Sequence, residues 1–376
     1  MIKKLYLSLF LILVFTINSY GQSISENSFE LNGSIDVDTG TIKLAFINAK
    51  EYYPSGIEEM VVKIKDGKFQ FKGSTPYPIG VFLNAKVFVS DMFILEKGVQ
   101  TITCNIDSNF KIPEMKNHAM DEYRNEYLKA FRASKAYKNK MNTRWDDLTR
   151  RYSGKLPDSI QLRLMVDLKK AYSMNDENLL KYVKTNPNSY LALWDLVRLL
   201  GFGYENIFDS IFAAFSPEIK TTFTGNKIAE KLKNAGTYIA IGKPFPLIDC
   251  IDQNNVKLTA SSYVGNKFTL IDFWYSSCLP CIRQFPDLKK TYLAYKDKGF
   301  EIVAISTDKA KYEADWRKVI LEKQLSWPQY WDIDGVQAAK LAVNSFPSNF
   351  LLDGNGRILA KNISPVELAD FLNRNL

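Results

Sequence analysis

The sequence predicts an α/β domain at the C-terminal end of the chain, preceded by a small antiparallel β domain and a helical region. Three observations carry this. Alternating apolar and polar residues, broken by Gly-containing turns, fill positions 28–110. Apolar residues at helical spacing among Lys, Arg and Glu fill 113–238. From 242 to 376, strand-like and helix-like segments take turns, which is the mark of an α/β unit. A chain of 376 residues is expected to hold two or three domains.

The first residues, Met1-Ile-Lys-Lys4, are basic and lead into an apolar stretch from Leu5 to Ile17. Small residues Ser19 and Gly21 then stand at the −3 and −1 places of a cut before Gln22. This layout predicts a secretory signal peptide over 1–21, with an uncleaved anchor as the alternative. The apolar core is shorter than the roughly 20 residues of a membrane span. No cysteine follows it, which argues against lipid anchoring. The expected location is the periplasm or cell envelope, where disulfides are tolerated. The formal charge of +8 is spread over many Lys-rich segments. That distribution suits a solvated basic surface and argues against nucleic-acid binding.

In the β region, Phe29–Gly33 and Thr41–Ile47 alternate. Val61–Lys65 and Lys68–Lys72 flank Asp66-Gly67, a strong hairpin signal. Phe93–Gly98 and Val99–Cys104 are expected to pair in the same way, and the whole to form a sandwich or barrel over 28–110. In the helical region, Tyr123, Tyr127, Leu128 and Phe131 share a face. Helices are predicted at 159–172, 176–185, 189–200 and 204–215, punctuated by Asn186-Pro187 and Ser216-Pro217. These aromatic stripes read as helix–helix core. Gly236 to Pro246 reads as a linker. Beyond it, strands are predicted at 268–275, 301–306, 348–352 and 357–361, and helices at 281–298, 310–322, 336–342 and 365–375. The first two strands and the helix between them form a βαβ unit, and Asp353-Gly-Asn-Gly356 closes a final hairpin.

The cysteines are Cys104, Cys250, Cys278 and Cys281, and the sole histidine is His118. Cys278-Leu-Pro-Cys281 comes directly after the apolar run 268–275. Two cysteines three apart at a helix start can close a disulfide with little backbone movement. The helix N-terminus favours the first sulfur as thiolate. The spacing would also serve as half of a zinc site, but no other pair has ligand spacing and His118 is remote. Cys104 and Cys250 sit in strand-like surroundings, as buried thiols or as a second disulfide. Asp272 interrupts the same apolar run. A central strand rarely buries an acid, because desolvation raises its pKa; a strand-edge Asp facing solvent is the alternative.

Residues 242–376 resemble the thioredoxin-like envelope thiol–disulfide oxidoreductases, the group that includes the TlpA and ResA proteins. The matching features are Phe273-Trp-Tyr-Ser-Ser-Cys-Leu-Pro-Cys281, Phe346-Pro-Ser-Asn-Phe350, the short hairpin and the last helix. The lead-in Gly242-Lys-Pro-Phe-Pro-Leu, with Asp252, Val256-Lys-Leu258 and Gly265, matches as well. A β-rich domain followed by helices is similar, more loosely, to what often precedes such modules. The resemblance implies that Cys278 is the nucleophile, exposed at the helix start, and that Cys281 is the more buried resolving cysteine. Asp272 then stands where such proteins place a buried acid, as proton acceptor for Cys281. Pro347 is implied to be a cis-proline that sets the backbone of Phe346 beside the sulfurs to hold substrate, with Trp274 packed beneath or touching substrate. An ordinary trans proline is the alternative.

Two departures stand out. Ser277 replaces the Trp common before the first cysteine, and Phe346 is bulkier than the usual residue before the proline. The resemblance implies substrates among disulfide-bearing envelope proteins and a membrane or periplasmic thiol electron donor. Pro280 before the second cysteine leans towards reduction or isomerisation. No cofactor or metal is expected beyond the cysteine pair. Two other classes compete. A thiol peroxidase would want Thr or Ser where Tyr275 stands. A non-catalytic envelope scaffold would leave the large upstream region as the working part.

Overall fold

The computed structural model describes residues 27–48, 50–154 and 156–376, so the predicted signal peptide over 1–21 lies outside the described residues. Strands β1 (Ser28–Ile35), β2 (Thr39–Phe46), β3 (Met60–Lys65), β4 (Lys68–Ser74), β5 (Ile79–Ala85), β6 (Phe88–Val89), β7 (Phe93–Leu95), β8 (Gly98–Cys104) and β9 (Glu114–Lys116) build the N-terminal sheet. Their order is β6-β5-β2-β3-β4-β1-β8-β9, with β7 also on β5. Asp66 and Gly67 have φ of 50° and 68°, the twist a two-residue hairpin needs between β3 and β4.

Three features differ from the sequence expectation. The strands form one hydrogen-bonded sheet that ends at β6 and β9, where a sandwich or barrel is expected. β1 and β8 run parallel, with Leu31 opposite Gln100, because the chain visits the other strands before returning. Finally, β7 and β8 do not pair with each other: β7 pairs with β5, and β8 with β1 and β9. The Gln100 side chain bonds both the N–H and the carbonyl of Glu96, holding the turn that separates them.

The helical region comprises α1 (His118–Glu122), a π-helical turn (Tyr123–Tyr127), α2 (Leu128–Ala130), α3 (Arg132–Arg151), α4 (Asp158–Thr185), α5 (Tyr190–Leu200), α6 (Ile207–Ala214), α7 (Pro217–Thr221) and α8 (Phe223–Ile239). Two expected helices merge into the single 28-residue α4. Ser173-Met-Asn-Asp176 holds neither Gly nor Pro to stop it, and Leu164, Ala171, Leu179 and Val183 are buried along its length. Ser189 caps α5 by accepting the N–H of Ala192 at 3.2 Å. Trp194 of α5 is fully buried against the N-terminal sheet, its indole donating to the Pro78 carbonyl at 3.0 Å. Gly80 makes room for it, since a Cβ there would lie 2.8 Å from the Trp194 side chain.

The expected linker is shorter and less free than predicted. α8 runs through Gly236 to Ile239, and the next residues lie along the last strand of the C-terminal sheet. Gly242 N–H donates to Ile358 O at 2.8 Å, and Phe245 N–H to Gly356 O at 2.8 Å. The C-terminal domain holds β10 (Ile251–Asp252), β11 (Phe268–Trp274), α9 (Leu279–Tyr295), β12 (Phe300–Ser306), α10 (Glu313–Lys323), β13 (Gln329–Trp331), α11 (Val336–Lys340), β14 (Ser348–Asp353), β15 (Ile358–Lys361) and α12 (Pro365–Asn375). The sheet order is β10-β13-β12-β11-β14-β15. β11, β12 and β13 are parallel; β14 and β15 close the other side antiparallel. β10 and β13, of two and three residues, are too short to show a period in sequence.

β11 divides two cores. Leu270 and Trp274 face a cluster shared with α9, α10 and α12. Ile271 and Phe273 face a second cluster, continuous with the helical region and the N-terminal sheet. The regions also meet through polar contacts. Ser345 Oγ donates to Phe202 O at 2.7 Å, Asn362 Nδ2 to Glu205 Oε1 at 3.1 Å, and Lys169 Nζ to Asn362 O at 2.7 Å.

Candidate active site

β11 ends at Trp274, and a three-residue loop brings the chain to Cys278, the N-cap of α9. Extended backbone at Cys278 (φ −75°, ψ 91°) points its sulfur back at the helix, where it accepts the Cys281 N–H at 3.2 Å. Pro280 costs nothing in the first turn, whose N–H groups have no helical partner. A disulfide joins Cys278 and Cys281, with Cα atoms 5.3 Å apart.

Cys278 is not exposed as expected: it retains 1% of its surface and Cys281 2%. The physical reason is packing, since both sulfurs lie inside a buried, largely apolar cluster. Tyr275 and Phe346 meet edge to face at 5.4 Å, and both pack against the cluster that holds the sulfurs. Leu279 and Ser277, by contrast, are exposed.

The Phe346–Pro347 peptide is cis. The loop carrying it enters β14 directly, where Ser348 pairs with Phe273, so the proline and the end of β11 are fixed to one another. Ser348 Oγ donates to Ser345 O at 2.7 Å, and Ser345 is itself held by Phe202 of the helical region.

Asp272 is buried in the middle of β11, with β12 on one side and β14 on the other. Strand alternation puts it on the face of Leu270 and Trp274, whose cluster includes Cys278 and Cys281. Burial alone pushes its carboxyl up to about 7. Its Oδ1 has no partner among the described residues. Its register neighbour Asn349 is otherwise engaged, bonding Ile363 N–H at 2.9 Å and Ile363 O at 3.0 Å. Trp274 is fully buried, edge-on to Phe285 at 5.2 Å. It packs in the cluster that holds the disulfide.

Sequence reasoning missed Asp308. This buried carboxylate accepts from Ser276 N–H at 2.8 Å, Ser276 Oγ at 2.6 Å and Ser306 Oγ at 2.6 Å. It thereby holds the loop that delivers Cys278. The available signal was its place two residues beyond the carboxyl end of a strand in the βαβ unit, where sites of open α/β sheets gather. Cys104 and Cys250 are free and buried, and desolvation pushes both thiols up to about 12. Among the described residues, no three His, Cys, Asp or Glu side chains come together to hold a metal.

A central βαβ unit, a CxxC at the helix start, a facing cis-proline and a buried acid behind the pair define a thioredoxin-like dithiol–disulfide domain. Residues 241–361 match the AhpC/TSA family. ResA, a thiol–disulfide oxidoreductase of Bacillus thuringiensis, is 28% identical over 119 residues, which are 32% of this chain and 67% of that protein. ResA of Oceanobacillus iheyensis is 32% identical over 108 residues, 29% of this chain and 54% of that protein. The solved thioredoxin domain of a Bacteroides vulgatus thiol–disulfide oxidoreductase is 34% identical, covers 36% of this chain and 98% of its own, and has a TM-score of 0.34. The C-terminal third of the chain belongs to the TlpA/ResA-like group of thioredoxin-like thiol–disulfide oxidoreductases.

Proposed function

We propose that this protein is exported and reduces or isomerises disulfides of envelope proteins, with Cys278 as nucleophile, Cys281 as resolving cysteine and Asp272 as base. The Cys278 thiolate attacks one sulfur of the partner's disulfide. A Cys278–partner bond forms and the partner's other sulfur leaves as thiolate. Asp272 takes the Cys281 proton, and Cys281 attacks Cys278 Sγ, releasing the partner's second sulfur. The partner gains two electrons and becomes a dithiol, while the enzyme is left as the disulfide. A membrane or periplasmic thiol donor restores the dithiol. Phe346 and the cis Pro347 hold the extended substrate segment beside the sulfurs.

The observation that supports this reading most directly is the Cys281 N–H aimed at Cys278 Sγ. The same N–H stabilises negative charge on that sulfur, and on it alone of the pair. The test is insulin-disulfide reduction by the full chain, beside Cys278→Ser and Cys281→Ser. Cys281→Ser should trap an envelope protein as a mixed disulfide and Cys278→Ser should not. No thiol-dependent activity in the parent protein would favour a scaffolding role.

A further inference from the structure

We propose that Gln329 is a positioning residue for the exchange reaction. With Asp272 it builds an internal water site on the α9 face of the sheet, and the water held there hydrates the Asp272 carboxyl and carries its proton away. This rests on the reading of Asp272 as base in the resolving step.

The register of three parallel strands carries the argument. Asp272 of β11 pairs with Ala304 of β12, and Ala304 pairs with Gln329 of β13. Residues in register across neighbouring strands point to the same face. The packing agrees: Leu270, Trp274, Ala304 and Trp331, which lie within or flank this row, all belong to the α9-side cluster. Tyr330, one residue from Gln329, packs in the opposite cluster. Two strand spacings separate Asp272 from Gln329, about 9.6 Å between backbones. The residue between them in this row is Ala304, so the two longer polar side chains flank a small one on the same face.

Neither end of this row is satisfied by protein. Gln329 is 6% exposed, and both its amide nitrogen and its amide oxygen are buried without a partner, as are Asp272 Oδ1 and Trp274 Nε1. A buried amide with both ends unpaired is costly to keep, and an apolar residue of similar size would fill the space without that cost. An internal water needs two to four polar partners. Gln329 supplies a donor and an acceptor, Asp272 an acceptor and Trp274 a donor. Trp316 and Trp327, in the same cluster, carry further unpartnered indole N–H groups.

The chemistry needs such a site. When Cys281 attacks Cys278, its proton moves to the Asp272 carboxylate. That proton must then leave a carboxyl that touches no solvent. The water takes it up and passes it outward, and Asp272 is returned as carboxylate for the next cycle. The titratable groups of α9 at this cluster are Cys278 at its cap, Cys281, Tyr292 and Tyr295; α10 and α12 contribute Trp316, Ile320, Leu368 and Leu372. No charged neighbour offsets the burial of Asp272, so its hydration is what sets its titration.

The experiment measures the rate of mixed-disulfide resolution against pH in the full chain, for the parent, Gln329→Met, Gln329→Ser and Asp272→Asn. Gln329→Met removes the polar partner at nearly constant volume. It should move the inflection due to Asp272 upward by about one pH unit, whereas Gln329→Ser, which leaves room for water, should move it less. An inflection that Asp272→Asn abolishes but Gln329→Met leaves in place overturns the role of Gln329 alone. A profile that Asp272→Asn does not alter overturns the base reading and this proposal with it. Should Gln329→Met fail to fold, a high-resolution crystal structure of the parent decides. Ordered water bonded to Gln329 and Asp272 supports the site, and direct protein partners for both overturn it.

Discussion

Ser276 gives Asp308 two hydrogen bonds at once, from its backbone N–H at 2.8 Å and from its hydroxyl at 2.6 Å. Ser306 gives the same carboxylate a third, at 2.6 Å. The end of β12 is thus tied to the loop two residues before Cys278. The position of Cys278 is set from two sides, by this carboxylate and by the first turn of α9.

Asp308→Ala strands a backbone N–H and two hydroxyls in a buried site. It should lower stability by about 3 kcal/mol, since hydrogen bonds to a charged group are the strong ones. Insulin-disulfide turnover should fall with it, and Asp308→Asn, which keeps one acceptor oxygen, should lie between. Thermal unfolding and turnover read both effects, and a variant with parental melting and rate would dismiss the anchoring role.

Asp272 carries a pH-dependent cost in stability. Its carboxyl stands at about 7 in the folded chain, against about 3.9 unfolded. Between these values the native state keeps a proton that the unfolded state has lost. Stability therefore falls as pH rises through that window and stays reduced above it. The full separation corresponds to about 4 kcal/mol. Asp272→Asn removes the linkage, so urea unfolding should find it more stable than the parent at pH 8 and no more stable at pH 4. An equal difference at both pH values would contradict the buried-acid cost.

The four thiols should separate cleanly by reactivity. Burial holds Cys104 and Cys250 at about 12, so almost no thiolate exists on either near pH 8. After reduction, iodoacetamide followed by mass mapping should modify Cys278 first in the native chain. Cys104 and Cys250 should react only once the protein is unfolded. Native labelling of Cys250 at the rate of Cys278 would contradict the lack of thiolate on Cys250.

What could be read from the sequence follows the range of the interactions involved. The Asp66-Gly67 hairpin and the capped helix Pro365–Asn375 depend on residues a few positions apart, and both lie where the pattern put them. The parallel pairing of β1 with β8 depends on where the intervening strands go, and no local period records that. The site divides along the same line. Cys278, Cys281 and Asp272 stand within ten residues and share one motif. Asp308 joins the same neighbourhood through its hydrogen bonds to Ser276, and Gln329 through strand register, both from distant points in the chain. The burial of Cys278 has a related origin, because Tyr275 and Phe346, which pack against its cluster, are brought together by the fold.

The loop that carries the cis-proline begins with a residue under strain. α11 ends in a Schellman arrangement, with Val343 N–H bonded to Ala338 O at 2.9 Å and Ala342 N–H to Ala339 O at 3.0 Å. This demands a left-handed residue at Ala342, whose φ is 55°. A Cβ there is disfavoured by about 1–2 kcal/mol. Glycine removes that strain, and its greater freedom when unfolded and the loss of one buried methyl offset part of the gain. Ala342→Gly should therefore stabilise the chain by about 0.5 kcal/mol. Because the backbone stays as it is, Phe346 and Pro347 keep their places and disulfide turnover should match the parent. Denaturant unfolding checks the first expectation and insulin reduction the second. A loss of stability on this substitution would mean that the Ala342 methyl contributes more by its packing beneath the loop than its backbone strain costs.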